Sequence, residues 1–154
     1  PKRTVRVVLF MGEELDGAGA RAYAEAHKHE ILSHVAAMEA DEGDGRPRHY
    51  GVTSGETALP LVKSWVEPLS ALVPADVRVI SQGGADLQPV RRAGVPVLQV
   101  EQDFTKYFEW HHTEGDTFDK IDAHDLALAT AAFANLTWAA ATSTTLLPRG
   151  PITP

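Results

Sequence analysis

The sequence predicts an α/β sandwich, on two observations. Short β-branched runs bounded by turn residues recur along the chain, and stretches with helical spacing separate them. Read in order, strand and helix alternate, four of each, the pattern of a sheet covered by helices.

Val5 to Phe10 reads VRVVLF, a nearly continuous apolar run of the kind that forms a strand buried on both faces. Gly12 to Gly19 holds three glycines and reads as a turn. Ala20 to Leu32, rich in alanine and charge, reads as a helix. Val35 to Glu39 is a second short apolar run that ends in the acidic cluster Glu39, Asp41 and Glu42. Asp44 to Gly55 is polar and reads as a loop with room for a short strand. Thr57 to Leu72 has helical spacing, and Pro60 is tolerated in a first turn. Val77 to Ile80 reads as a strand followed by Gly83 and Gly84. Asp86 to Ala93 reads as a short helix stopped by Gly94. Val95 to Val100 is another strand, and 102–119 an aromatic and polar loop. Asp122 is placed to cap a last helix, Ala123 to Ala141. The domain thus spans 1–141, and 142–154, with its prolines, reads as an extended tail.

Composition narrows the function. Twenty-one acids against 14 bases give a net charge of -7, which disfavours nucleic acid as a partner. There are no cysteines, so disulfides, thiolate zinc sites and cysteine nucleophiles are excluded. No apolar run approaches the roughly 18 residues of a membrane span.

Reactive groups in α/β folds gather on loops at strand ends. Glu13 and Glu14 follow the first strand, Asp41 the second, and His111 and His112 lie beyond the last. The Glu pair reads either as a solvated acidic turn or as a metal ligand beside a base. Asp41 reads as a turn cap or a ligand. The histidines read as zinc ligands, oriented by Thr113, Asp116 and Thr117, or as rings packed on Phe108 and Trp110. The residues alone reach a hydrolytic metal site in an α/β domain, alongside the plainer reading of surface groups on an ordinary domain.

Four segments in order resemble the co-catalytic di-zinc exopeptidases (peptidase family M-28). VRVVLFMGEELDGAGARAYAEAHKHE resembles that family's strand, Glu-Glu pair, glycine turn and helix. MEAD, Met38 to Asp41, is similar to its Glu-Ser-Asp segment with Ala40 in place of serine. GGADLQPVRRAGVPVLQV and YFEWHHTEGDT resemble its two downstream motifs. The double histidine, the preceding Tyr-Phe and the late Leu-Leu-Pro-Arg are similar to a carboxypeptidase Q-like branch. The resemblance covers about residues 4 to 149.

It implies a three-layer sandwich with a mixed, mostly parallel sheet, and two zinc ions as cofactors. It implies that Glu13 is the general base, that Glu14 and His112 are zinc ligands, and that Asp41 binds the other zinc. Asp86, Tyr107, His111 and Asp116 would be supporting or substrate-facing groups. The implied substrate is a peptide or dipeptide, and the implied parent is exported. The family's first histidine and bridging aspartate precede the Glu-Glu strand, and PKRTVRVVLFMG contains neither. The expectation is therefore a truncated catalytic domain, inactive alone, completed by an N-terminal half or by another copy. The alternative is a non-catalytic relic of the fold that serves as a binding or oligomerisation module.

Overall fold

A computed structural model describes residues 1–150. Its sheet has three strands, β1 (Pro47–Val52), β2 (Val77–Val79) and β3 (Leu98–Gln102), in the order β2-β1-β3. Strand β1 runs parallel to β2, with Tyr50 opposite Val77. It runs antiparallel to β3, with Val52 opposite Leu98 and Pro47 opposite Gln102. One parallel bridge, Ala37 to Val97, brings the segment before β1 alongside the start of β3. The sheet is mixed, as expected, and its longest pairing is the antiparallel one.

Six α-helical segments are found among the described residues: α1 (Glu13–Asp16), α2 (Ala18–Ala26), α3 (Leu59–Val66), α4 (Gln88–Arg92), α5 (Tyr107–Trp110) and α6 (Ala123–Thr142). Side chains alternate across a strand. Tyr50, Val52, Leu98 and Val100 therefore share one core with Val62 and Val66 of α3 and Leu128, Ala132 and Leu136 of α6. Val97 joins a second core with Val95, Leu87, Ile31 and Val90 of α4, and α2 packs against α4. Helices thus cover both faces, giving three layers.

Helix α6 starts where the sequence places it. The Asp122 carboxylate accepts from the backbone N–H groups of His124 and Asp125 at 2.9 Å each, satisfying two donors that a helix start leaves unpaired. Gly94 closes the turn after α4 with φ 85, a conformation that favours glycine.

Several segments differ from expectation. Val5 to Phe10 is not a buried strand: Val7 is 83% and Leu9 88% exposed, and residues 4–10 make no backbone–backbone hydrogen bonds among the described residues. Its composition suits burial, but no strand of the sheet reaches it. Val35 to Glu39 forms a single bridge rather than a strand. Within 44–55, read mainly as loop, lies the central strand β1; its polar Arg48 and His49 hide the pattern. The 57–72 helix is shorter, with 3-10 turns at Glu56–Ala58 and Glu67–Leu69 flanking α3. The tail folds back as far as it is described: Leu147 is buried and the Gly150 N–H donates to the Gly94 carbonyl at 3.2 Å. Residues 151–154 of the tail lie outside the described residues.

Leu136 is wholly enclosed in the larger core. Leu136→Ala should cost about 2–5 kcal/mol of stability, and Asp122→Ala about 1 kcal/mol. Denaturant midpoints of the two variants check both magnitudes and their order.

Candidate functional site

The Glu-Glu pair is held on a one-turn helix. Gly12 and Gly17 flank α1 with φ of 72 and 67, left-handed values that glycine adopts without strain. The turn is closed by Gly17 N–H donating to the Gly12 and Glu13 carbonyls, at 3.0 and 3.1 Å. Glu13 and Glu14 open α1, with Glu14 exposed.

The loop after β3 supplies the facing group. Helix α5 ends at Trp110, whose carbonyl accepts from the Thr113 N–H at 2.9 Å and the Thr113 hydroxyl at 2.7 Å. Between them, His112 has φ 58, and it alone among the described non-glycine residues has positive φ. That turn aims its Nε2 at Glu14 Oε1, 2.8 Å away across 98 residues of sequence. The His111 ring stacks on His112 at 3.8 Å between centroids, and Tyr107 stacks on His111 at 4.7 Å. The pair is mostly exposed, at 59% and 68%. Such ion pairs contribute roughly 0–1 kcal/mol, no more than the roughly 1–2 kcal/mol a left-handed residue costs. Stability does not account for the arrangement.

Beside it lies a cleft of about 260 Å³ lined by Glu39, Asp41, Glu42, Gln99, Phe104 and Tyr107, with Gly83 to Ala85 completing it. The Glu39 carboxylate sits so close to Gly84 that any Cβ there would overlap it. Its Oε2 accepts from the Leu87 N–H at 3.1 Å. Burial, then the charges of Asp86 and Asp41, push Glu39 up to about 7, and the Leu87 and Asp86 N–H groups only partly offset them. Burial and then Asp41 raise Asp86. Burial and then Glu101 raise Glu42. Tyr107 is raised by burial and then by the charges of Asp41, Glu42, Glu14 and Asp116, so it faces both halves of the site.

Of the residues singled out in the sequence, Glu14 and His112 touch, with His111 and Tyr107 stacked behind them. Asp41 and Tyr107 both line the cleft, and Asp86, which follows the lining residue Ala85, is buried. Asp116 reaches Tyr107 only through its charge. Glu13 has no side-chain hydrogen bond among the described residues. Glu42 and Gln99 were not singled out as site residues. Glu39 lies two residues before Asp41, as a second acid on the same side of an extended segment would.

The donors suit zinc in kind: a carboxylate oxygen and an imidazole nitrogen. Ligands about 2.0–2.2 Å from a tetrahedral zinc stand roughly 3.3 Å apart, so the Glu14–His112 contact would open by about half an ångström. The donors fall short in number. No group of three or more His, Asp or Glu residues is placed to hold a metal ion among the described residues, and a catalytic zinc takes about three protein ligands.

The model of peptidase family M28 matches residues 1–137. The chain is 37% identical to carboxypeptidase Q of Mus musculus over 97% of its own length and 32% of that protein's. It is 36% identical to carboxypeptidase Q of Homo sapiens over 97% of its length and 31% of that protein's. It thus spans about a third of these curated relatives. It superposes on the peptidase M28 precursor of Shewanella amazonensis SB2B with a TM-score of 0.82 and 35% identity, covering 94% of this chain and 33% of that one. It is also similar to the glutaminyl cyclase of an Acidobacteriales bacterium, with a TM-score of 0.55 and 25% identity over 79% of this chain and 45% of that one.

Glu39 binds its proton more tightly folded, at about 7, than at its ordinary 4.5. Its contribution to stability is therefore full below about pH 4.5 and lost as the pH rises through 7. The carboxylate is only half buried, so the loss should be on the order of 1 kcal/mol after solvent screening. Glu39→Gln should flatten this part of the stability–pH curve of the metal-free chain and stabilise it at pH 8.

Proposed function

The chain belongs to peptidase family M28, and we propose that it carries part of the active site of a zinc-dependent exopeptidase. One observation carries the reading. Glu14 and His112, 98 residues apart, meet at 2.8 Å through a left-handed histidine that packing alone does not require. Backbone strain of this kind clusters at functional sites.

In this reading Glu14 and His112 hold one zinc and Asp41 contributes to a second. When bound, zinc would supply Lewis acidity and lower the pKa of the attacking water. Glu13, next to Glu14 on the same one-turn helix, takes the proton of that water and returns it to the leaving amine. Adjacent residues at the start of a helix point in different directions, so one carboxylate can serve as ligand while its neighbour faces the substrate. His111 and Tyr107 position His112 by stacking. Tyr107, held as a neutral phenol by burial and then by the acidic groups around it, can donate a hydrogen bond to the substrate carbonyl. The substrate would be a peptide or dipeptide presenting a chain end.

Two features support completion of the site by residues beyond these 154. The donors number two at one centre and one at the other, fewer than catalytic zinc takes. The apolar side chains of Val5, Val7, Leu9 and Met11 are exposed, on a segment whose composition suits burial in a sheet. An unpaired apolar segment is a surface for another strand. Further sheet from the same polypeptide or from another copy would cover it.

The isolated chain with added zinc should therefore show no dipeptide hydrolysis above background. Robust turnover would contradict the incompleteness. In the completed enzyme, Glu13→Gln should lower kcat by about 10²–10⁴-fold with its zinc content unchanged, as steady-state kinetics and metal analysis would show.

A further inference from the structure

The Glu13–Glu14 turn is held from behind by α2. The chain runs through 4–11, turns through α1 and returns along α2. At the base of that loop the Gly19 N–H donates to the Met11 carbonyl at 2.9 Å. The approach is closer than a side chain allows: a Cβ on Gly19 would stand 2.6 Å from both the Met11 nitrogen and the Met11 oxygen. Those are backbone atoms, which cannot turn aside as the end of a side chain can. Gly19 lies inside α2 without the positive φ that would otherwise favour glycine. Alanine is the better helix former there. The space, not the backbone conformation, therefore requires the glycine.

One turn further along the same face of α2, Tyr23 makes a second contact with the incoming segment. Its ring meets Phe10 edge to face with centroids 5.9 Å apart, and the Arg6 guanidinium lies over it at 5.8 Å. The Tyr23 hydroxyl accepts from Arg6 Nη1 at 2.9 Å. Its own hydrogen is then free for His34 Nε2, 2.7 Å away. Residues 4–10 make no backbone–backbone hydrogen bonds among the described residues, so these contacts with α2 place the segment that leads into the Glu pair. We propose that Gly19 is a positioning residue for the exopeptidase site: by letting α2 touch the Met11 backbone, it sets how far Glu14 reaches toward His112. The proposal rests on the peptidase reading for what the pair does, but the contact that Gly19 sets is present in the metal-free chain.

Its test follows the His112 ring nitrogens by NMR of the 154-residue chain at pH 7 with EDTA present. In the wild type, Glu14→Gln should shift them, because it removes the carboxylate that faces Nε2. In the Gly19→Ala background the same substitution should shift them at least about threefold less, with the Leu136 methyl resonances of the core in place. A glycine that merely supports the fold would leave the Glu14 effect on His112 intact. The wild type gives a second reading that needs no variant to fold. Its Gly19 N–H should exchange with solvent at least about tenfold more slowly than that of Ala18, its neighbour at the opening of α2, whose helix position supplies no acceptor. An undiminished Glu14 effect in Gly19→Ala, a His112 ring that ignores Glu14→Gln in the wild type, or equal exchange of the two amides would overturn the proposal. Because zinc is chelated, an absence of hydrolysis in the completed enzyme would sink the peptidase reading alone. An undiminished Glu14 effect alongside hydrolysis would sink the positioning role alone.

Discussion

Strand β1 is the element on which the other parts of the chain register. Its antiparallel pairing with β3 sets the end of β3 against the start of β1. Two loops meet there: the one entering β1, with Asp41 to Gly45, and the one leaving β3 toward His111 and His112. Gln102, buried at the end of β3, ties them together. Its side-chain amide donates to the carbonyls of Gly43 and Gly45 at 2.9 Å each, and the Asp103 N–H donates to the Arg46 carbonyl at 3.0 Å. The loop that carries the acidic residues and the start of the loop toward the histidines are therefore tied together at Gln102 and Asp103.

The site on this frame runs against stability. The described residues cluster carboxylates near Asp41 without a cation among the cleft lining, leave buried acceptors unpaired, and hold His112 in a left-handed turn for an exposed contact of little energetic value. Each feature costs free energy in the isolated chain. Proteins commonly depart from local rules where they function.

The elements legible in the sequence are those whose signals are local. Asp122 and the long alanine-rich stretch behind it define α6, and Gly94 ends α4. The short run at Val77 is strand in both readings. Val5 to Phe10 failed because burial is a property of neighbours, and the sheet offers this segment none. Strand β1 was missed because Tyr50, Gly51 and Val52 carry its buried half while Arg48 and His49 mask the alternation. Motif order singled out Glu14, Asp41 and His112; the fold brings Glu14 to His112 and sets Asp41 in the neighbouring cleft. Gln99 was not singled out, because in sequence it is one polar residue in an apolar strand, and only the fold reveals that it turns toward Glu42.

The proposed role of Glu14 and His112 as a metal-holding pair is open to direct measurement. Zinc titration followed through the histidine ring nitrogens by NMR tests it most directly. The account predicts that the His112 ring responds first among the seven histidines and that Glu14→Gln weakens the response. A His112 ring unmoved while zinc binds elsewhere, for example at His27 or His34, would contradict it.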